Sequence, residues 1–116
     1  MNSYKELIVW QKSMELVRKI YLLSGDLPKS ETFGLISQMR RAAVSIPSNI
    51  AEGFNRRHRK EFSQFISIAF GSGAEIETQL LLAKSLGLVK QKSFEECDAL
   101  LQEVMKMLNK LITNLK

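Results

Sequence analysis

Six basic residues carry the chemistry that this sequence offers. Arg40, Arg41, Arg56, Arg57, Arg59 and Lys60 lie in one segment whose only acid is Glu52. The segment therefore holds five net positive charges, which is the entire excess of a chain with net charge +5. A guanidinium presents paired donors that match phosphate oxygens bidentately. A patch this local points to an anionic partner more than a uniformly basic surface does. Arg56, Arg57, Arg59 and Lys60 sit where one helix ends and another begins, and the first N–H groups of the new helix add partial positive charge. The alternative for these four is a charge run that simply faces solvent. For Arg40 and Arg41, mid-helix and close to a packed face, the alternative is ion pairing with Glu75 or Glu77. Phe54 alone precedes the cluster, and no aromatic platform is interleaved with it, so stacking on single strands has little support. No reader of base edges is visible. Binding is expected mainly to backbone phosphate, and it should be salt-sensitive.

Other chemistries lack their residues. The chain has one histidine, His58, and one cysteine, Cys97. A di-iron site in a helix bundle needs several inward glutamates and two Glu-x-x-His pairs, and zinc sites need four ligands at set spacings. Glu75/Glu77 and Glu95/Glu96 are one or two residues apart on helices and point in different directions, so they form no acid–base pair. Neither a catalytic residue, a metal nor a cofactor is expected. Cys97 falls on the core face of the last helix and reads as a packing residue.

The elements that position the basic cluster are helical. Leu35, Met39, Ala42, Ala43, Ile46 and Ile50 share one face of a second helix that continues through Pro47, where a kink is expected. Gly53 is expected to end it in the left-handed conformation. A polar ridge of Gln38, Ser45, Asn49 and Glu52 flanks that face. The first helix, about Leu7 to Ser24, has two apolar sets. Leu7, Trp10, Met14, Val17 and Tyr21 read as the core seam. Val9, Leu16, Ile20 and Leu23 read as a second stripe that packs on another subunit or on a second helix layer. Gly25-Asp26-Leu27-Pro28 breaks the chain, and Ser30 or Thr32 can cap the second helix. The third helix, about Arg59 to Leu86, has its seam at Phe62, Phe65, Ile66, Ala69, Gly73, Ile76, Leu80 and Ala83. Its flank of Glu61, Ser72, Glu75 and Gln79 can meet the polar ridge of the second helix. His58 makes a weak start for it. Gly71 and Gly73 are tolerable if a neighbouring helix comes close, and Gly87 ends the helix. The fourth opens at a capping box, Ser93-x-x-Glu96, and runs through Leu101, Val104, Leu108 and Leu111 to Leu115. The fold class is thus all-α, an up-down-up-down four-helix bundle, oligomeric if the second stripe meets another subunit.

At 116 residues the chain is long enough for one domain and one core. Its 45% hydrophobic and 25% charged residues are ordinary for a globular protein. No apolar run is long enough to span a membrane, and the first residues lack the apolar core of a signal peptide. A cytoplasmic protein is expected, and a lone cysteine agrees with that.

The run Ser37 to Gly53, Ser-Gln-Met-Arg-Arg-Ala-Ala-Val-Ser-Ile-Pro-Ser-Asn-Ile-Ala-Glu-Gly, resembles the signature of the bacterial 23S rRNA intervening-sequence proteins. Val9-Trp10-Gln11-Lys12, Pro28-Lys29, Gly71-Ser72 and Glu75 to Leu80 extend the resemblance over nearly the whole chain. It implies a four-helix bundle and a homo-oligomer, a pentamer; the biochemical role of the family is itself poorly defined. Members usually carry Ser or Thr where His58 stands, so the helix cap departs from the pattern here. More distantly the chain is similar to the accessory proteins of diversity-generating retroelements, pentameric barrels of four-helix bundles that assist a reverse transcriptase. Two functions are expected on these grounds. The first is an oligomer that binds RNA or DNA through phosphate contacts. The second is a protein–protein scaffold whose basic linker recognises an acidic partner such as a polymerase.

Overall fold

Apolar residues three and four apart fold the chain into four α-helices: α1 (Ile8–Gly25), α2 (Ser37–Arg56), α3 (Arg59–Ser85) and α4 (Gln91–Leu115). The computed structural model describes residues 2–116, and these residues contain no strand. Each helix packs on two neighbours. α1 touches α2 and α4, and α3 touches the same two from the other side. The α2–α3 contact is the most extensive. The result is the expected up-down-up-down bundle, 43 Å along its axis, which matches the roughly 40 Å that 27 helical residues of α3 span at 1.5 Å each.

The core reverses the expected roles of the two stripes of α1. Val9, Leu16, Ile20 and Leu23 are buried within the chain itself, Leu16 and Ile20 completely. Of the two expected alternatives they take the second: they pack on the other helices of the same chain and leave no surface for another subunit. The other stripe lies shallower, with Leu7, Trp10, Met14 and Val17 half-buried and Tyr21 exposed. For Trp10 and Tyr21, side-chain chemistry explains the shallower position. Branched aliphatics bury with no polar atom to satisfy, whereas the indole N–H and phenol O–H need a partner or water. Ser13 joins the deep stripe because its hydroxyl donates to the Trp10 carbonyl at 2.8 Å.

α2 runs through Pro47 as one helix. Proline has no N–H for the Ala43 carbonyl and costs about 3 kcal/mol in a helix interior. Ile46 and Ile50, on either side, are fully buried, and each such side chain contributes about 1.5–3 kcal/mol. Tertiary burial thus outweighs the local penalty. The expected end at Gly53 does not occur. The helix continues to Arg56, and the left-handed residue is Arg57, at φ 61°. The α2 start also differs. A 3-10 turn (Lys29–Glu31) and a π-helical turn (Thr32–Ile36) precede it, and the Glu31 carboxylate accepts from the Leu35 N–H at 3.3 Å. α4 begins at Gln91, ahead of the Ser93 capping box, with no side-chain cap. Gly87 does end α3 as expected, at φ 70°, with the Leu88 N–H donating to the Ala83 carbonyl and its own N–H to the Lys84 carbonyl.

The polar ridges of α2 and α3 meet as expected. The Ser72 hydroxyl donates to the Ser45 hydroxyl at 2.9 Å, and the Asn49 amide donates to the Ser45 carbonyl at 2.7 Å. Gln79 is buried beside them, and its Oε1 is without a hydrogen-bond partner among the described residues. Cys97 is buried on α4. Its thiol lies 3.7 Å from the Lys19 carbonyl, and burial pushes its pKa up to about 11.

At Gly53 α2 packs on a part of α3 that cannot move aside. A Cβ there would stand 2.6 Å from the Phe65 Cβ and 3.1 Å from the Phe62 ring, both on α3. The Phe65 Cβ is fixed to the backbone and cannot step aside. Gly73 faces the Met105 side chain, which can move, and Gly71 faces open space. Gly71→Ala should therefore stabilise the protein by up to about 1 kcal/mol, the helix-propensity difference. Gly53→Ala should lower the melting temperature despite the same intrinsic gain. Thermal unfolding of both variants checks this, and a rise for Gly53→Ala would contradict the packing argument.

Candidate nucleic-acid interface

Antiparallel packing brings the C-terminus of α2, the N-terminus of α3 and the C-terminus of α4 to one end of the bundle. The link between α2 and α3 is two residues, Arg57 and His58. His58 is extended and forms no side-chain cap, so the first N–H groups of α3 keep their partial positive charge. The first backbone bond of the helix runs from the Phe62 N–H to the His58 carbonyl at 2.9 Å.

The basic side chains around this end are not equivalent. Arg56 pairs with Glu52 at 3.4 Å and lies over the Phe65 ring at 5.2 Å. Both partners of that ion pair are about half exposed, so it contributes only about 0.3–0.5 kcal/mol. One Arg59 nitrogen donates to the Asn114 carbonyl near the end of α4. That bond satisfies a helix-terminal acceptor and fixes the guanidinium, which keeps further donors free. Arg57 and Lys60 are exposed and make no side-chain hydrogen bond or ion pair with the described residues. A cavity of about 580 Å³ opens here, lined by Phe54, Phe62 and Leu115 and by Asn2, Arg57, His58 and Arg59. Phe62 and Leu115 escaped the sequence reading as neighbours of Phe54. The antiparallel topology carried the signal, since it sets the end of α4 beside the start of α3.

Arg40 and Arg41 lie elsewhere. The Arg40 guanidinium donates to the Ser24 hydroxyl at 2.9 Å and to the Tyr21 carbonyl at 3.3 Å, and it sits 4.6 Å from the centre of the Tyr21 ring. It ties α2 to the end of α1. The expected pairing with Glu75 or Glu77 is absent among the described residues; Glu77 instead accepts from Gln102 at 2.7 Å. Arg41 is exposed and lines a polar cleft of about 320 Å³ with Glu75 and Gln79. The six basic residues are thus one segment in sequence but lie apart in space: four at this end of the bundle, Arg40 against α1 and Arg41 in a cleft beside α3. Among the described residues, no group of three or more His, Cys, Asp or Glu side chains is placed to hold a metal, and no helix is long and apolar enough to cross a membrane.

Residues 5–110 match the sequence pattern described as 23S rRNA-intervening sequence protein. The chain belongs to that family. A solved crystal structure is similar throughout: a protein with unknown function from the S23 ribosomal protein family of Bacteroides thetaiotaomicron, with a TM-score of 0.84 and 26% identity. The match covers 90% of this chain and 98% of that one. No curated protein matches the sequence.

In this intervening-sequence protein Arg57 occupies a position that glycine fills more cheaply. A left-handed conformation costs a residue with a Cβ about 1–2 kcal/mol. Arg57→Gly should therefore raise the melting temperature by a few degrees. Arg40→Ala should lower it by a comparable or larger amount, because two hydrogen bonds and a ring contact are lost. Differential scanning calorimetry of the two variants checks the sorting. A stability loss for Arg57→Gly, or none for Arg40→Ala, would contradict it.

Proposed function

We propose that this intervening-sequence protein is a non-enzymatic oligomer that binds RNA or DNA through the phosphate backbone, using the end of the bundle where α2 meets α3. One observation carries the reading. Arg57 and Lys60 are exposed and have no ion-pair or side-chain hydrogen-bond partner among the described residues, beside the start of α3, with Arg56 and Arg59 alongside. Like charges this close repel by a few tenths of a kcal/mol per pair, and no contact among the described residues offsets that for Arg57 and Lys60. A phosphate polymer relieves that repulsion and releases counterions as it binds. The name of the family points to genes within 23S rRNA and does not specify a ligand.

Self-association belongs to the same proposal, on surfaces other than the deep stripe of α1. Trp10, Met14, Val17, Val44, Pro47 and Ala51 line an apolar groove between α1 and α2. Ile68, Leu81 and Leu82 are exposed on α3. An apolar groove on one side and exposed apolar side chains on another favour head-to-tail contacts, which close into a ring when the rotation permits. The family resemblance favours five copies. Repeating a weak phosphate site around a ring raises the avidity for a polymer by multivalency.

The test is a salt titration of binding to one duplex and one structured RNA. Arg57→Glu with Lys60→Glu should weaken both at least about tenfold at low salt and flatten the dependence of log K on log salt. Melting temperature should stay within a few degrees of wild type. Unchanged affinity and slope would turn the reading toward an acidic protein partner.

A further inference from the structure

The cavity at the basic end has a lining that phosphate contacts do not use. Phe54 and Phe62 stand with ring centroids 5.9 Å apart and planes at 89°. Both line the cavity together with Leu115. Arg57, His58 and Arg59 line it too, and Arg59 is held in place by the Asn114 carbonyl. At about 580 Å³ the space falls within the range of roughly 300–1,000 Å³ that holds small organic ligands. Aromatic side chains beside cationic ones are the pairing that single-stranded nucleic acids use, since every base has a π-face and every nucleotide a phosphate.

We propose that this cavity receives one unpaired nucleobase of a bound nucleic acid. The base packs against Phe54, Phe62 and Leu115, while Arg57 and Arg59 hold the adjacent phosphate. The proposal rests on the phosphate-binding reading and adds a preference to it: frayed ends, overhangs or bulges over fully paired duplex. A phosphate ion alone leaves the phenyl rings unused. A hydrocarbon chain leaves the guanidinium groups unused. A nucleotide uses both. In the sequence a stacking platform has little support, because Phe54 stands alone beside the arginines. The fold supplies the second ring, eight residues later in the chain.

The test compares a short blunt duplex with the same duplex carrying one unpaired 3′ adenine, in low salt. AMP, inorganic phosphate and laurate serve as competitors. The overhang should bind about fivefold tighter or more, the gain expected of one stacked base. 2-Aminopurine at the unpaired position should be quenched on binding to the wild-type protein. AMP should compete better than inorganic phosphate. Phe54→Ala should bring the ratio of the two affinities close to one; Phe54→Leu, which keeps an apolar side chain, serves if the alanine variant fails to fold. Equal affinities with unquenched 2-aminopurine would overturn the base pocket and leave the phosphate reading standing. Binding of AMP that depends on Phe54, with neither duplex bound, would keep the pocket and overturn the polymer reading. Absence of all binding would overturn both. Displacement of AMP by laurate at lower concentration would reassign the cavity to a fatty acid and overturn the proposal.

Discussion

The close approach of α2 and α3 at Gly53 is the contact on which the rest of the molecule depends. It is the place where a backbone meets a Cβ with no room for a methyl group. The last turn of α2 is carried past Gly53 to Arg56, the chain reverses in two residues, and α3 begins with its N–H groups uncapped. Phe54 and Phe62, on either side of the reversal, meet edge to face because the helices that bear them are so close. The same proximity lets Arg56 reach the Phe65 ring.

Local preferences are overridden at two points of α2, for different reasons. At Pro47 the helix bears the loss of a hydrogen bond because Ile46 and Ile50 are driven into the core. At Arg57 a side chain that disfavours the left-handed region occupies it, where a glycine would be easier. The first exception is explained by burial. The second buries nothing, and the gain that it offers is a positive charge at the turn.

Much of this architecture was legible in the sequence. Four apolar periods, the glycine stop at Gly87 and the facing polar ridges of Ser45 and Ser72 all emerge from spacing alone. Spacing could not settle which of two adjacent stripes on α1 faces inward. Val9, Leu16, Ile20 and Leu23 differ from Trp10 and Tyr21 less in periodicity than in the polar atoms that the aromatics must keep wet. Helix ends were the other weakness. Gly53 resembles a stop signal, yet its missing Cβ serves packing, and the true end fell on an arginine that no propensity would nominate. For the candidate site, the charges were visible as a run, but their sorting was not. Arg40 proved to be a tie to Ser24 and Tyr21, and the cavity needed residues from three helices.

If the Gly53 contact holds the basic end in its binding geometry, loosening that contact must disturb the end and its ligand together. Amide hydrogen exchange of the wild type and Gly53→Ala, each free and with a structured RNA in low salt, tests this most directly. Faster exchange is expected across residues 54–62 in the free variant, with little change in α1 and α4 and weaker protection of the same residues by RNA. Exchange and RNA protection at residues 54–62 that match the wild type would contradict it.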